Sequence, residues 1–322
     1  MTDFGRELPE TDAFVDVKLL NGGSMTAHYH KLHAGDPAEE FRMYNWAFYI
    51  YHPGQQRHII WDLGFSSVRR TSQDAADYSP AVAEGPFVEA HFQAPRESIP
   101  DQIQRRSGVA ADQIQIVIIS HAHFDHCRPI SRTFVNAVAW FGPGTREFCA
   151  PGHLVDPTSF WDGRFFDPED RATERWQTLP GPWTPFGPFP NALDFLGDGS
   201  LWIIQAPGHM PGNLCACARL ESGEWILLGS DCCHSRALLD GAKDFARLSL
   251  PEGGDFCLHT DLEAARDTVA RVRDLKTRRG VHVALAHDTS FIEDGQDPVL
   301  LSLLDEEGRA EWAAALREQR PF

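Results

Sequence analysis

A chain of 322 residues with 42% hydrophobic and 23% charged residues has an ordinary globular composition, long enough for a sizeable core and too mixed for a low-complexity array. Lys and Arg number 29 against 46 Asp and Glu, and the net charge of −17 argues against a surface that collects nucleic-acid phosphates, anionic lipid or polyanionic substrates. No apolar run approaches the ~20 residues that span a bilayer, and Met1 to Glu10 carries acids and a proline where an export signal carries basic then apolar residues, so a cytoplasmic chain without membrane or nucleic-acid partners is expected.

Five short apolar runs read as buried strands, each closed by residues that can bind a metal or position one that does. They are Ile59 to Trp61 before Asp62-Leu63-Gly64, Ile116 to Ile119 before Ser120-His121, Leu201 to Ile204 before Pro207-Gly208-His209, Trp225 to Leu228 before Gly229-Ser230-Asp231, and Val281 to Leu285 before Ala286-His287-Asp288. Polar groups at several strand ends predict one shared site on one edge of a sheet. Ser98 is the expected N-cap of a short helix through Arg106 that stops near Gly108. The spacing of Leu262, Ala265, Val269, Val272 and Leu275 predicts an amphipathic helix over 261–279, and a last helix is expected from Pro298 to Glu318.

The stretch 142–199 is dense in Pro and Gly and carries Phe160, Trp161, Phe165, Phe166, Trp183, Phe186 and Phe189. It reads as a long ordered loop or cap with little regular structure, its rings either stapling the loop to the body or walling a pocket for an apolar substrate. Tyr44, Trp46, Phe48 and Tyr49 are candidates for the same wall. The seven cysteines include the pair Cys215 and Cys217 and the adjacent Cys232 and Cys233 but no CxxC, so reduced, mostly buried thiols are expected.

The densest chemical cluster is His121-Ala122-His123-Phe124-Asp125-His126. Alternate residues of an extended loop point the same way, so His121 and His123 can grip one ion while Asp125 and His126 turn toward a second. Imidazole nitrogen and carboxylate oxygen suit Zn²⁺ and also accept Fe or Mn. Packing alone gives no reason to desolvate four such groups together. His209, between two Pro-Gly turns, is a candidate further ligand to the first ion; Asp231 can bridge both ions, and His287 completes the second.

The HxHxDH run, the later PGHxPG histidine, the GSD aspartate and the AHD histidine resemble the metallo-β-lactamase superfamily in order and spacing from Ile59 to Asp288. The resemblance implies an α/β fold, the four-layer αβ/βα sandwich, formed by residues 1–322 as a single hydrolase domain with an aromatic, Pro-rich insertion at about 142–199. It implies a dinuclear centre of two Zn²⁺, with Fe or Mn as substitutes. His121, His123 and His209 would bind the first ion, Asp125, His126 and His287 the second, with Asp231 bridging and Asp62 supporting the ligands from behind.

Within the superfamily, Ser98-Ile99-Pro100 through Gln104, Gln113 to Ser120, and Phe141-Gly142-Pro143-Gly144-Thr145 resemble the quorum-quenching lactonase branch and its fungal relatives of unassigned or lactam-opening activity. Asp231 stands where antibiotic-degrading lactamases usually carry cysteine. Three positions depart from the branch: Arg128 replaces a glycine, Asn213 a histidine, and His234 a tyrosine that donates to an oxyanion.

The implied activity is hydrolytic opening of a small lactone or lactam, apolar or aromatic in character, through a metal-bridging hydroxide. Asp125 would carry the nucleophile's proton to the leaving group, and His234 is the candidate oxyanion donor. Thioester hydrolysis of the glyoxalase II or acyl-carrier kind is one alternative, disfavoured by the acidic balance. A di-iron redox module is another, lacking a flavodoxin-like segment to deliver electrons. The sequence specifies no oligomeric state.

Overall fold

A computed structural model describes residues 7–66, 77–85, 89–250 and 253–322. The chain falls into two compact units. The first comprises Val17–Thr26, Met43–Pro180 and Leu303–Phe322; the second comprises the chain up to Asp16, Ala27–Arg42 and Gly181–Ser302.

The strands β1 (Asp16–His28), β2 (Glu40–His52), β3 (Arg57–Trp61), β4 (Ile116–Ile118), β5 (Val138–Phe141) and β6 (Trp176–Thr178) form one six-stranded sheet in that order, most of it in the first unit. β3 pairs antiparallel with β2, and β3 to β6 run parallel. Parallel strands are covered on both faces, so their sequences are unbroken apolar runs. Ile59, Ile60, Val117 and Ile118 are accordingly fully buried.

In the second unit β7 (Thr184–Phe186), β8 (Phe189–Asp194), β9 (Leu201–Gln205), β10 (Leu214–Arg219) and β11 (Trp225–Leu228) precede a short ribbon of β12 (Leu248–Ser249) and β13 (Asp255–Phe256), and β14 (His282–Ala284) closes the set. The second sheet is ordered β14-β11-β10-β9-β8-β7, antiparallel except for the β11–β14 pair. Its core joins Ile204, Leu227, Val283 and Leu285 to Val269, Val272 and Leu275 of the helix Leu262–Arg279.

All five apolar runs are strands, but they lie in two sheets and not along one edge of one. Two helices have the expected local signals. Ser98 caps Ile99–Ser107 by accepting from the Asp101 N–H, and Gly108 ends it at φ 67°; Asp261 caps Leu262–Arg279, and Gly280 ends it likewise.

The expected helix from Pro298 to Glu318 is two helices, Pro298–Ser302 and Glu306–Arg317. The break has a tertiary cause: the Leu303 carbonyl accepts from the Leu19 N–H and from the Arg106 guanidinium, so it is drawn out of an intrahelical bond. The stretch 142–199 also holds more regular structure than expected, namely the helices Thr145–Cys149 and Gly163–Phe166 and the strands β6, β7 and β8. Tyr44, Trp46, Phe48 and Tyr49 are core residues of β2 and not a pocket wall. Trp46 stacks on Trp312, and the Tyr44 hydroxyl donates to the Ala315 carbonyl. Among the described residues no helix is long and apolar enough to cross a membrane.

Candidate metal centre

In the first unit the HxHxDH loop follows β4, and His121, Asp125 and His126 are buried. The His121 ring lies 4.8 Å from that of His123 and 4.1 Å from that of His126, centroid to centroid. Asp62 organises this cluster from the end of β3. Its Oδ1 accepts from the Ser120 N–H at 2.7 Å, and its Oδ2 accepts from the Ser120 hydroxyl at 2.8 Å and from His126 Nδ1 at 2.8 Å. Ser120 Oγ in turn sits 3.0 Å from His121 Nδ1.

A charged acceptor therefore holds the Nδ1 hydrogen of His126 directly and that of His121 through one hydroxyl. That tautomer leaves each Nε2 lone pair as the ligand atom, which is what a metal requires of neutral imidazole. Asp62 has φ 59°, a left-handed conformation that Asp tolerates better than most residues. Gly64 follows at φ 65°, and a Cβ there would stand 2.5 Å from the Gly22 Cα, so the Asp-Leu-Gly turn needs its glycine.

Asp125 is aimed by Asn45 of β2, whose side-chain amide donates to the Asp125 carbonyl at 2.7 Å and to its Oδ2 at 3.3 Å. His126 Nε2 faces the same Oδ2 at 3.3 Å. Trp161 stacks on the His123 ring at 5.6 Å, with Phe148 a further 5.6 Å from Trp161. Of the aromatic stretch, then, Trp161 meets a site residue while Phe165, Phe166, Phe186 and Phe189 are core. Arg128 donates to the Leu63 carbonyl at 3.3 Å, tying the loop to the Asp62 turn.

The second unit brings together His209, Asp231 and His287, as its share of the expected ligands. Asp231 Oδ2 lies 3.6 Å from His209 Nε2, 3.2 Å from His287 Nε2 and 3.1 Å from His234 Nε2, all four residues buried. The His209 turn is pinned: Gly208, at φ 129°, packs where a Cβ would stand 2.3 Å from the Ala265 nitrogen. Asn213, the position expected to depart, closes that turn by donating to the Ala206 carbonyl at 2.8 Å. Behind His287, the Asp288 carboxylate accepts from Arg236 Nε at 2.9 Å and Nη2 at 2.6 Å.

The sequence reading passed over His259, which is buried with its ring 5.2 Å from both His209 and His234. It stands at the end of no apolar run, and the pairing of the Thr260 and Asp261 N–H groups with the His209 and Gly208 carbonyls brings it in. Cys215, Cys217, Cys232 and Cys233 are free and buried, as expected of structural thiols. The donor chemistry fits the implied metals: His121 and His126 have Nδ1 occupied by Ser120 and Asp62, and each unit adds buried imidazoles and a carboxylate.

The chain is 28% identical over 322 aligned positions to the metallo-hydrolase mfmC of Annulohypoxylon moriforme, covering 88% of this chain and 81% of that one. It is 27% identical over 243 positions to the gamma-lactamase FDB1 of Fusarium pseudograminearum, covering 70% and 55%. A solved N-acyl homoserine lactone hydrolase, with N-hexanoyl-L-homoserine at its catalytic metal centre, superposes with TM-score 0.62 at 17% identity over 86% of this chain and 95% of the other. These likenesses bear out the resemblance to the metallo-β-lactamase superfamily and its lactonase-like branch. The chain has the αβ/βα sandwich fold and is a metal-dependent hydrolase. It spans 29% of the length of longer Penicillium relatives that it also matches. No family model matches it.

Proposed function

We propose that this hydrolase opens a small lactone or lactam ring at a centre of two divalent ions, zinc in the first instance. His121, His123 and His209 would hold one ion, Asp125, His126 and His287 the other, and Asp231 both. The observation that carries the reading is the Asp62–Ser120–His121 and Asp62–His126 arrangement, which favours in His121 and His126 the tautomer a metal needs. The lactone-hydrolase and gamma-lactamase relatives support the choice of ring.

When bound, the ions supply a nucleophile at neutral pH and polarise the carbonyl. The chain's own part is to hold and move the proton. Asp125, fixed by the Asn45 amide at its carbonyl and Oδ2, would use its other carboxylate oxygen to accept the nucleophile's proton and deliver it to the leaving oxygen or nitrogen. Lactam opening depends more on this step than lactone opening, because an amide anion is the poorer leaving group. The oxyanion role expected of His234 would require an Nε2–H turned to substrate, whereas that nitrogen faces Asp231 Oδ2 at 3.1 Å. The Trp161 face beside His123 supports an apolar or aromatic substituent on the ring.

The test is metal content and hydrolysis of a lactone and lactam panel for wild type and His123→Ala. The expected result is metal-dependent turnover lost in the variant. Full activity in metal-free protein would refute the proposal.

A further inference from the structure

The carboxylate oxygen Asp231 Oδ2 is approached by three imidazole nitrogens, all of them Nε2: His234 at 3.1 Å, His287 at 3.2 Å and His209 at 3.6 Å. The nearer two match the oxygen's two lone pairs, and His209 at 3.6 Å lies beyond hydrogen-bonding distance, so hydrogen bonding does not account for the convergence of all three. The separations have another meaning. Ligand atoms around a tetrahedral zinc at ~2.0–2.1 Å stand about 3.3 Å from one another, close to the distances of these nitrogens from Asp231 Oδ2. Ligand atoms of His209, Asp231 and His234 all lie within 4.8 Å of one another, and the three residues are buried.

His234 is also held as a ligand is held. It follows Cys233 in extended backbone and precedes Ser235, whose hydroxyl caps the helix Arg236–Asp240 and contacts His33 Nε2 at 2.8 Å. The His234 ring is parallel to that of His287, at 5.7 Å and 5°, and edge-on to those of His209 and His259. Rings on either side thus fix its plane while Nε2 points at Asp231.

We propose that His234 is a metal ligand, so that His209, Asp231 and His234 form a cation subsite lying wholly within the second unit, suited to a first-row divalent ion that accepts imidazole and carboxylate. The inference rests on the metal-hydrolase reading and reassigns His234. A nitrogen whose lone pair binds a metal carries no hydrogen for an oxyanion.

The full-length chain, stripped of metal, is titrated with Co²⁺ and followed by calorimetry and by visible absorption. Wild type, His234→Gln, the double variant His121→Ala/His123→Ala, and the double variant carrying His234→Gln are compared. The double variant is expected to retain a bound Co²⁺, and His234→Gln to weaken that ion at least tenfold and alter its visible band. His234→Cys is expected to restore binding to within a few fold and add a thiolate-to-cobalt band, so loss in the glutamine variant is separated from misfolding. An unchanged affinity and spectrum on His234→Gln in both backgrounds, with wild type still binding two ions, overturns this inference and leaves the dinuclear reading standing. A wild type that binds no ion overturns both.

Discussion

Asp62→Asn isolates the contribution of one carboxylate to the metal ligands. Asp62 accepts three hydrogen bonds, from the Ser120 N–H, the Ser120 hydroxyl and His126 Nδ1. An asparagine has one carbonyl oxygen and one amide NH₂ in the same outline. With its oxygen in the Oδ2 position it keeps the hydroxyl and His126 but turns NH₂ against the Ser120 N–H. Flipped, it turns NH₂ against His126 Nδ1, which can then only accept, and the imidazole hydrogen moves to Nε2, where it blocks the metal.

Either orientation leaves one buried donor unsatisfied, about 1–3 kcal/mol, and removes the charge from the remaining bonds. A stability loss of about 2–4 kcal/mol is expected. Metal affinity should fall about 10–100-fold, as for other residues that orient ligands, or about 1.4–2.7 kcal/mol. The backbone does not confound the comparison: Asp62 is left-handed at φ 59°, and Asn tolerates that region as Asp does, whereas Asp62→Ala adds about 1–2 kcal/mol of its own. The assay is chelator competition for Zn²⁺ alongside thermal unfolding. Zinc affinity within twofold of wild type, whatever happens to the melting temperature, would show that Asp62 is a fold staple and that the tautomer argument is wrong.

Asn45→Ala removes the amide that aims Asp125, and a roughly 10–100-fold fall in kcat is expected with metal content near wild type, checked by kinetics and elemental analysis together. Trp161→Ala strips the ring from the His123 face; KM for lactones with long or aromatic arms should rise about tenfold, equivalent to ~1.4 kcal/mol of lost contact, and an unchanged KM would remove Trp161 from the binding surface. In the native state a thiol reagent should label Cys257, which is partly exposed, and spare the six buried cysteines until the chain unfolds.

The buried thiols also set a pH dependence. Hydrogen bonding with Cys215, together with burial, raises the Cys232 thiol well above its ordinary 9.0, and hydrogen bonding with Cys232, with burial, does the same for Cys233. Raised folded values mean that the folded chain keeps protons the unfolded chain loses. The stability contribution is complete below about pH 9 and is lost as pH rises toward the folded values, so the melting temperature should fall on the alkaline side, and less steeply in Cys233→Ala.

What was legible in the sequence is what is decided locally. Ser98 and Asp261 cap their own helices, Gly108 and Gly280 end them, and buried parallel strands declare themselves as apolar runs. The HxHxDH cluster and the Asp62 turn are local too. What was not legible depends on partners far along the chain. The last helix breaks because Leu19 and Arg106 reach the Leu303 carbonyl; Tyr44 and Trp46 join the core because Trp312, Ala315 and Phe322 return to them; and His259 meets His209 through a pairing that no spacing encodes.

The three departures from the family pattern divide on the same line. Arg128 and Asn213 replace residues in ligand-bearing loops, and each spends its polar group on a backbone carbonyl nearby, at Leu63 and Ala206, keeping the loop closed without adding a donor atom for a metal. His234 is different in kind, because its nitrogen faces the carboxylate that His209 and His287 also face. A tyrosine at that position offers a phenol that keeps its hydrogen near neutrality, while an imidazole offers a neutral lone pair. The exchange therefore trades a hydrogen-bond donor for a ligand, and the chemistry it alters first is metal affinity in the second unit, ahead of any effect on the reacting carbonyl.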